Sequence, residues 1–200
     1  FQGKKELFEG LAMASLEKEW LEHPIFHLDL NISKYASTTD LVDILNRNVT
    51  AWEDLYGSDP AERSLPLRFA GVILRAYKQT GRRVVILVDE YDKPLLQTLH
   101  DETLQEEMRS ILKPFYGVLK TMDGCIRFAL LTGVTKFGKV SVFSDLNNLE
   151  DISMINTYAD LCGMTDVEIR GELKEDVQAL ADAFGLEYEA TLQELKERYD

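Results

Sequence analysis

Asp89 and Glu90 stand side by side at the end of an aliphatic run, in the stretch VVILVDEYDKP at residues 84–94. Adjacent acids in that position suit phosphoryl transfer. Asp89 would hold Mg²⁺, directly or through water, and Glu90 would orient and polarise the water that attacks a γ-phosphate. Ligands gather at the carboxyl ends of parallel strands, where these two acids would stand. A polar strand end that binds nothing explains the same pair. Two acids by themselves repel a polyphosphate, so the chemistry also needs a loop whose backbone N–H groups and lysine cradle the phosphates.

A near-match to such a loop lies at residues 133–140, GVTKFGKV, which fits G-x-x-x-x-G-K-[ST] up to its last position. Val140 lacks the hydroxyl that binds Mg²⁺. The following SVFSDLNNLED opens no amphipathic helix whose N-terminus could face a phosphate. The match also comes after the acidic strand, the reverse of the usual order. It reads as a loop beside that strand. Thr132, Thr135 and Lys136 are then either solvated or placed to sense a γ-phosphate. His23, His27 and His100 are scattered and read as structural or exposed. Arg82 and Arg83 precede the acidic strand at its far end and read as solvated.

Three segments have the composition of buried strands: 25–30 (IFHLDL), 84–88 (VVILV) and 126–132 (IRFALLT). The last two are nearly continuously apolar, as in a strand covered on both faces. Helical spacing connects them. Leu41, Leu45, Val49, Trp52 and Leu55 form one stripe, with cap residues at 37–40 and Gly57 as a stop. Leu67, Ala70, Ile73, Leu74 and Tyr77 form a second, with Pro66 in its first turn and Gly81 beyond it. Leu104, Met108, Ile111, Phe115, Leu119 and Met122 form a third, capped by Asp101; Pro114 inside it predicts a bend or break. Two more helices are expected at 166–183 and from 187 onward. Alternation of strands and helices predicts an α/β fold, a parallel sheet with helices on both faces. Residues 1–164 form this core, and residues 165–200 begin a helical subdomain.

Length and composition agree with that architecture. The 200 residues suit one domain with a small appendage. No apolar run approaches the roughly 18 residues of a membrane span. The net charge of −13 argues against a nucleic-acid grip by the chain as a whole, because phosphate neutralisation needs Lys and Arg. A nucleotide site needs only a few cations and backbone N–H groups. Cys125 and Cys162 have no Cys or His at metal-ligand spacing and read as reduced, buried thiols, which points to the cytoplasm. The chain opens on Phe1 without Met and closes in a helical pattern, so it is expected to be a segment of something longer.

Taken together, FQGKKELFEGL, HLDLN, VVILVDEYDKPLL, LLTGVTKFGKVSVFSDLNNLEDIS and YADLCGMTDVEI resemble the bacterial AAA-ATPase-like proteins. These are P-loop ATPase domains usually followed by a PD-(D/E)XK nuclease-like domain. The resemblance covers the whole chain, and LVDEYDKPL with the later LTGVTKF is its most specific part. It implies a phosphate loop upstream of Phe1, absent here, with residues 1–3 as the tail of the helix after that loop. It also implies an ATPase core that is incomplete, followed by a helical lid. Asp89 and Glu90 resemble the Walker B pair, with Asp89 as the metal ligand and Glu90 catalytic. Thr132 resembles the sensor, with Thr135 as the alternative, and residues around Gly133 and Lys136 resemble the sensor loop. ATP and Mg²⁺ are the implied cofactors, and a C-terminal nuclease-like domain the implied partner. If the strand before the missing loop belongs beside residues 126–132, that strand is left with an open, apolar edge, and self-association is expected. Two rivals remain: a protein-interaction module that kept the fold and lost hydrolysis, and a metal-dependent nuclease or phosphatase using Asp89, Glu90 and Asp92.

Overall fold

The computed structural model describes residues 1–134 and 146–199. They form two compact units, Phe1–Glu150 and Asp151–Asp200. The first begins with a 3-10 turn at Lys5–Phe8 and a short helix α1 (Ala12–Leu16), then strand β1 (Ile25–Asp29). Helices α2 (Thr38–Tyr56) and α3 (Leu65–Thr80) lead to β2 (Val84–Asp89). The short α4 (Lys93–Gln97) and the long α5 (Glu102–Thr121) lead to β3 (Ile126–Leu131). The strands make one parallel sheet in the order β1-β2-β3. Each strand ends within one residue of its expected limit.

The helix ends follow local chemistry. The Asp40 carboxylate accepts the Ser37 backbone N–H at 2.8 Å, which fixes the start of α2. Gly57 ends that helix with φ 85°, a backbone state that costs glycine nothing. Asp101 caps α5 by accepting the Leu104 N–H at 3.0 Å. Of the bend or break expected at Pro114, the break does not occur, because α5 runs through it as one helix. Phe115, Tyr116 and Leu119, directly after the proline, are buried, and that packing offsets the lost backbone bond. Residues 1–3 are also not the helical tail expected of them. Gln2 instead bridges antiparallel to Glu22, and Gly3 sits at φ 70°.

The core lies on one face of the sheet. Phe26, Leu28, Val84, Ile86 and Val88 point into it, and α2, α3 and α5 supply the facing side chains. An aromatic column runs through this layer. Phe26 stacks on Trp52 at 4.7 Å, Trp52 lies 5.5 Å from Phe69, and Phe69 stacks on Phe115 at 4.6 Å. Each such contact contributes about 0.5–1.5 kcal/mol beyond area burial. On the other face Phe128 and Leu130 are exposed, with Phe1 resting against Phe128 at 5.5 Å. The expectation that the third strand is covered on both sides therefore fails among the described residues. No strand beyond β3 is present among them either.

In the second unit, α6 (Asp166–Arg170), α7 (Lys174–Phe184) and α8 (Tyr188–Tyr199) follow a 3-10 turn at Asn156–Tyr158. Thr165 and Glu168 cap α6 reciprocally, and the Thr165 N–H and hydroxyl, both donating to the Glu168 carboxylate, hold it below its ordinary pKa. The single helix expected over 166–183 is two helices, interrupted at Gly171, where glycine's weak helix preference meets φ −97°, ψ −85°. Val177, Ala181 and Leu192 are buried in this unit. No helix among the described residues is long and apolar enough to cross a membrane.

Candidate functional site

All three strands are parallel, so the chain leaves each of them at the same edge of the sheet. The register sets Asp29 beside Asp89 and Val88 beside Leu131. Past the strand ends the ladder continues by two more bonds. Thr132 N–H donates to the Val88 carbonyl and Tyr91 N–H donates to the Thr132 carbonyl, both at 2.9 Å. Asp89 and Thr132 are thereby held face to face, and the Thr132 hydroxyl donates to Asp89 Oδ1. Both are exposed, while Glu90 is half-buried. The three residues singled out from sequence thus meet at one carboxyl edge. Thr135 and Lys136 lie outside the described residues.

Glu90 has φ 55°, in the left-handed region. For a residue with a side chain this costs about 1–2 kcal/mol. The surrounding bonds impose it: Lys93 N–H donates to the Glu90 carbonyl at 3.0 Å, and the Tyr116 hydroxyl donates to the Tyr91 carbonyl at 3.2 Å. Burial is the main reason that the Tyr116 phenol is pushed well above its ordinary pKa, with nearby Tyr35 and Asp92 adding to it. Tyr116 adjoins Phe115, so the aromatic column of the core ends under this turn.

Sequence reasoning passed over Asp29, Asn31 and Lys93 here, and considered Asp92 only as part of a nuclease-like acid cluster. Asp29 ends β1 as Asp89 ends β2, and its Oδ1 accepts the Asn31 N–H at 2.7 Å. Asn31 Oδ1 in turn accepts from Lys93 Nζ at 2.5 Å, which brings a cation to the same edge. An acid at the end of the strand-like IFHLDL was the available signal for Asp29. Asp92 is fully buried, and its Oδ1 faces the Val134 N–H at 3.4 Å. That burial removes Asp92 from the surface that Asp89 shares with solvent.

This donor set fits Mg²⁺. Asp89 offers an exposed hard oxygen ligand, and Mg²⁺ keeps several waters and takes one or two carboxylates plus phosphate oxygens. An all-protein cage is not available, since no cluster of three or more potential ligands exists among the described residues. A polyphosphate fits less well, because the 200 residues contain no complete G-x-x-x-x-G-K-[ST] loop. A cleft of about 190 Å³ lies along the first half of β3, between Leu119, Ile126, Phe128 and Leu149, and not at the carboxyl edge.

The remaining candidates behave as ordinary surface groups. His23 Nδ1 donates to the Arg83 carbonyl at 2.8 Å, and His27 and His100 are exposed. Arg82 and Arg83 are exposed as expected. Cys125 is half-buried and Cys162 exposed, so the expectation of two buried thiols is not met.

A family model described as "Predicted AAA-ATPase" matches residues 1–143. The chain is 38% identical over 169 residues to a protein of Azotobacter chroococcum mcd 1 described as "Uncharacterized protein in vnfD 5'region". The match takes in 84% of this chain and 33% of that protein, so the chain spans about a third of its relative's length. No solved structure matches.

Proposed function

The chain belongs to the AAA-ATPase-like family, and from that premise we propose that it is the strand-edge part of a module that binds and hydrolyses ATP. Asp89 holds Mg²⁺, Glu90 orients the attacking water and draws its proton, and Thr132 is the sensor. The observation that carries this is the Thr132 hydroxyl bonded to Asp89 at the carboxyl edge of a parallel sheet, with Glu90 one residue on. Bound Mg-ATP would supply the electrophilic phosphorus and the charge that Asp89 balances. This chain's residues position water, accept a proton and hold the metal ligand in place. The Thr132 hydroxyl donates to the Asp89 carboxylate from the β3 side, and Asp29 stands beside Asp89 in register on β1.

A complete phosphate loop belongs, on this reading, to a longer parent chain. There the helices after Thr165 act as a lid, and a C-terminal nuclease-like domain receives the coupling. A cytoplasmic setting goes with use of ATP. The nuclease alternative that enlists Asp92 is disfavoured, because Asp92 is fully buried.

Calorimetry with Mg-ATP on this chain should give no saturable binding at micromolar concentration. Micromolar affinity would make residues 133–140 a working phosphate loop after all. In a parent with a complete loop, Glu90→Gln should slow hydrolysis while nucleotide stays bound. Unchanged turnover would remove Glu90 from the chemistry and favour a non-catalytic interaction module.

A further inference from the structure

Asp92 is the acid that the fold buries to 0% exposure among the described residues, only two positions after the half-buried Glu90. Glu53, the other buried acid among them, pairs with Arg68 well away from this edge, on α2 and α3. Burying a carboxylate is costly unless donors satisfy it. Asp92 Oδ1 faces the Val134 N–H, the first amide after Gly133. Gly133 itself is pressed against the same turn. A Cβ built there would fall 2.6 Å from Asp92 Oδ1 and 2.7 Å from Tyr91 Cε1. Neither group can retreat freely, since Asp92 and Tyr91 are both buried. Tyr91 is tied on both sides, its N–H to the Thr132 carbonyl and its carbonyl to the Tyr116 hydroxyl.

We propose that Asp92 is a positioning residue for Glu90. It fastens the backbone entering the loop after β3 onto the left-handed turn that presents Glu90. Gly133 is the notch that lets the two backbones close to this distance. Displacement of the 133–134 backbone is thereby transmitted to Glu90 through Asp92 and Tyr91. The consequence for catalysis rests on the ATPase reading of the preceding subsection; the mechanical coupling does not.

Gly133→Ala and Asp92→Ala test it from opposite sides. Amide hydrogen exchange in this chain should rise at Tyr91 in Gly133→Ala by about tenfold, the loss of roughly one hydrogen bond. The amides of Val84, Ile86 and Val88 should keep their protection, which separates loosening of the turn from unfolding. Asp92→Ala, which removes the acceptor of the Val134 N–H, should resemble Gly133→Ala. In the parent, Gly133→Ala should lower kcat by about tenfold with KM for Mg-ATP little changed. Wild-type exchange at Tyr91 in Gly133→Ala would overturn the coupling. A raised exchange with an unchanged kcat would overturn its role in positioning Glu90. If the wild-type parent hydrolyses no ATP, the ATPase reading fails, while the exchange data still decide the coupling.

Discussion

Replacing Glu90 by Gly should stabilise the first unit relative to replacing it by Ala. Both changes remove the same carboxylate, so the pair differs only by a Cβ. At φ 55° that Cβ costs about 1–2 kcal/mol in the native state. Glycine loses about 0.5–1 kcal/mol more chain freedom on folding than alanine. The difference leaves Glu90→Gly more stable than Glu90→Ala by about 0.5–1 kcal/mol. For a unit of some 150 residues that is a Tm difference of about 1–4 °C. Both tryptophans, Trp20 and Trp52, lie in this unit, so their fluorescence reports its unfolding without signal from the second. Urea titrations should show the midpoint moving with an unchanged m value. Glu90→Gln, which keeps both the Cβ and the strain, should stay within about 0.5 kcal/mol of wild type. Equal stability of the Gly and Ala variants, or a more stable Ala variant, would refute the left-handed turn. It would also remove the strain that marks Glu90 as a site held in place at a cost in stability.

Arg68 donates twice to Glu53, at 2.6 and 3.0 Å, and also to Asn46 and Thr50. Arg68→Ala should cost about 2 kcal/mol, below the full value for a buried pair because Arg68 is partly screened by water, and Arg68→Lys should recover less than half of it in the same urea titration. Burial, with Asp29 and Asp40 nearby, raises the Tyr35 phenol from 10.0 to about 12, so the unfolded chain ionises first and stability should fall as pH rises from about 10 to 12. Tyr35→Phe should flatten part of that alkaline loss, read as Tm against pH, while losing the 2.8 Å bond to the Leu30 carbonyl at neutral pH. The outer face of β3 exposes Phe128 and Leu130, so the chain should self-associate with rising concentration, and Phe128→Lys should suppress this in light scattering. A monomer at all concentrations would show that β3 is not an adhesive surface.

The strands and the three long helices were legible because their signals are local. An apolar run such as VVILV excludes an exposed helix, and Ser37, Asp101, Gly57 and Gly81 set helix ends through bonds or dihedrals within a few residues. Asp89 and Glu90 were legible for the same reason, since their position is counted from the end of their own strand. Only the tertiary structure brought Thr132 against Asp89, because that contact depends on the register of β3 on β2 and on a shift in that register near Val84. It also decided that α5 continues through Pro114, where distant aromatic side chains outweigh a local preference. The short α4, Asp29 beside Asp89, and the exposure of Phe128 were likewise beyond the sequence pattern, because each depends on which neighbour lies across the sheet. Asp92 shows the difference most directly. Its sequence context, DEYDKP, offers it as a third acid for a nuclease-like site beside Asp89 and Glu90. In the assembled sheet it is fully buried, with the Gly133 backbone close against its carboxylate, a contact between residues 41 positions apart.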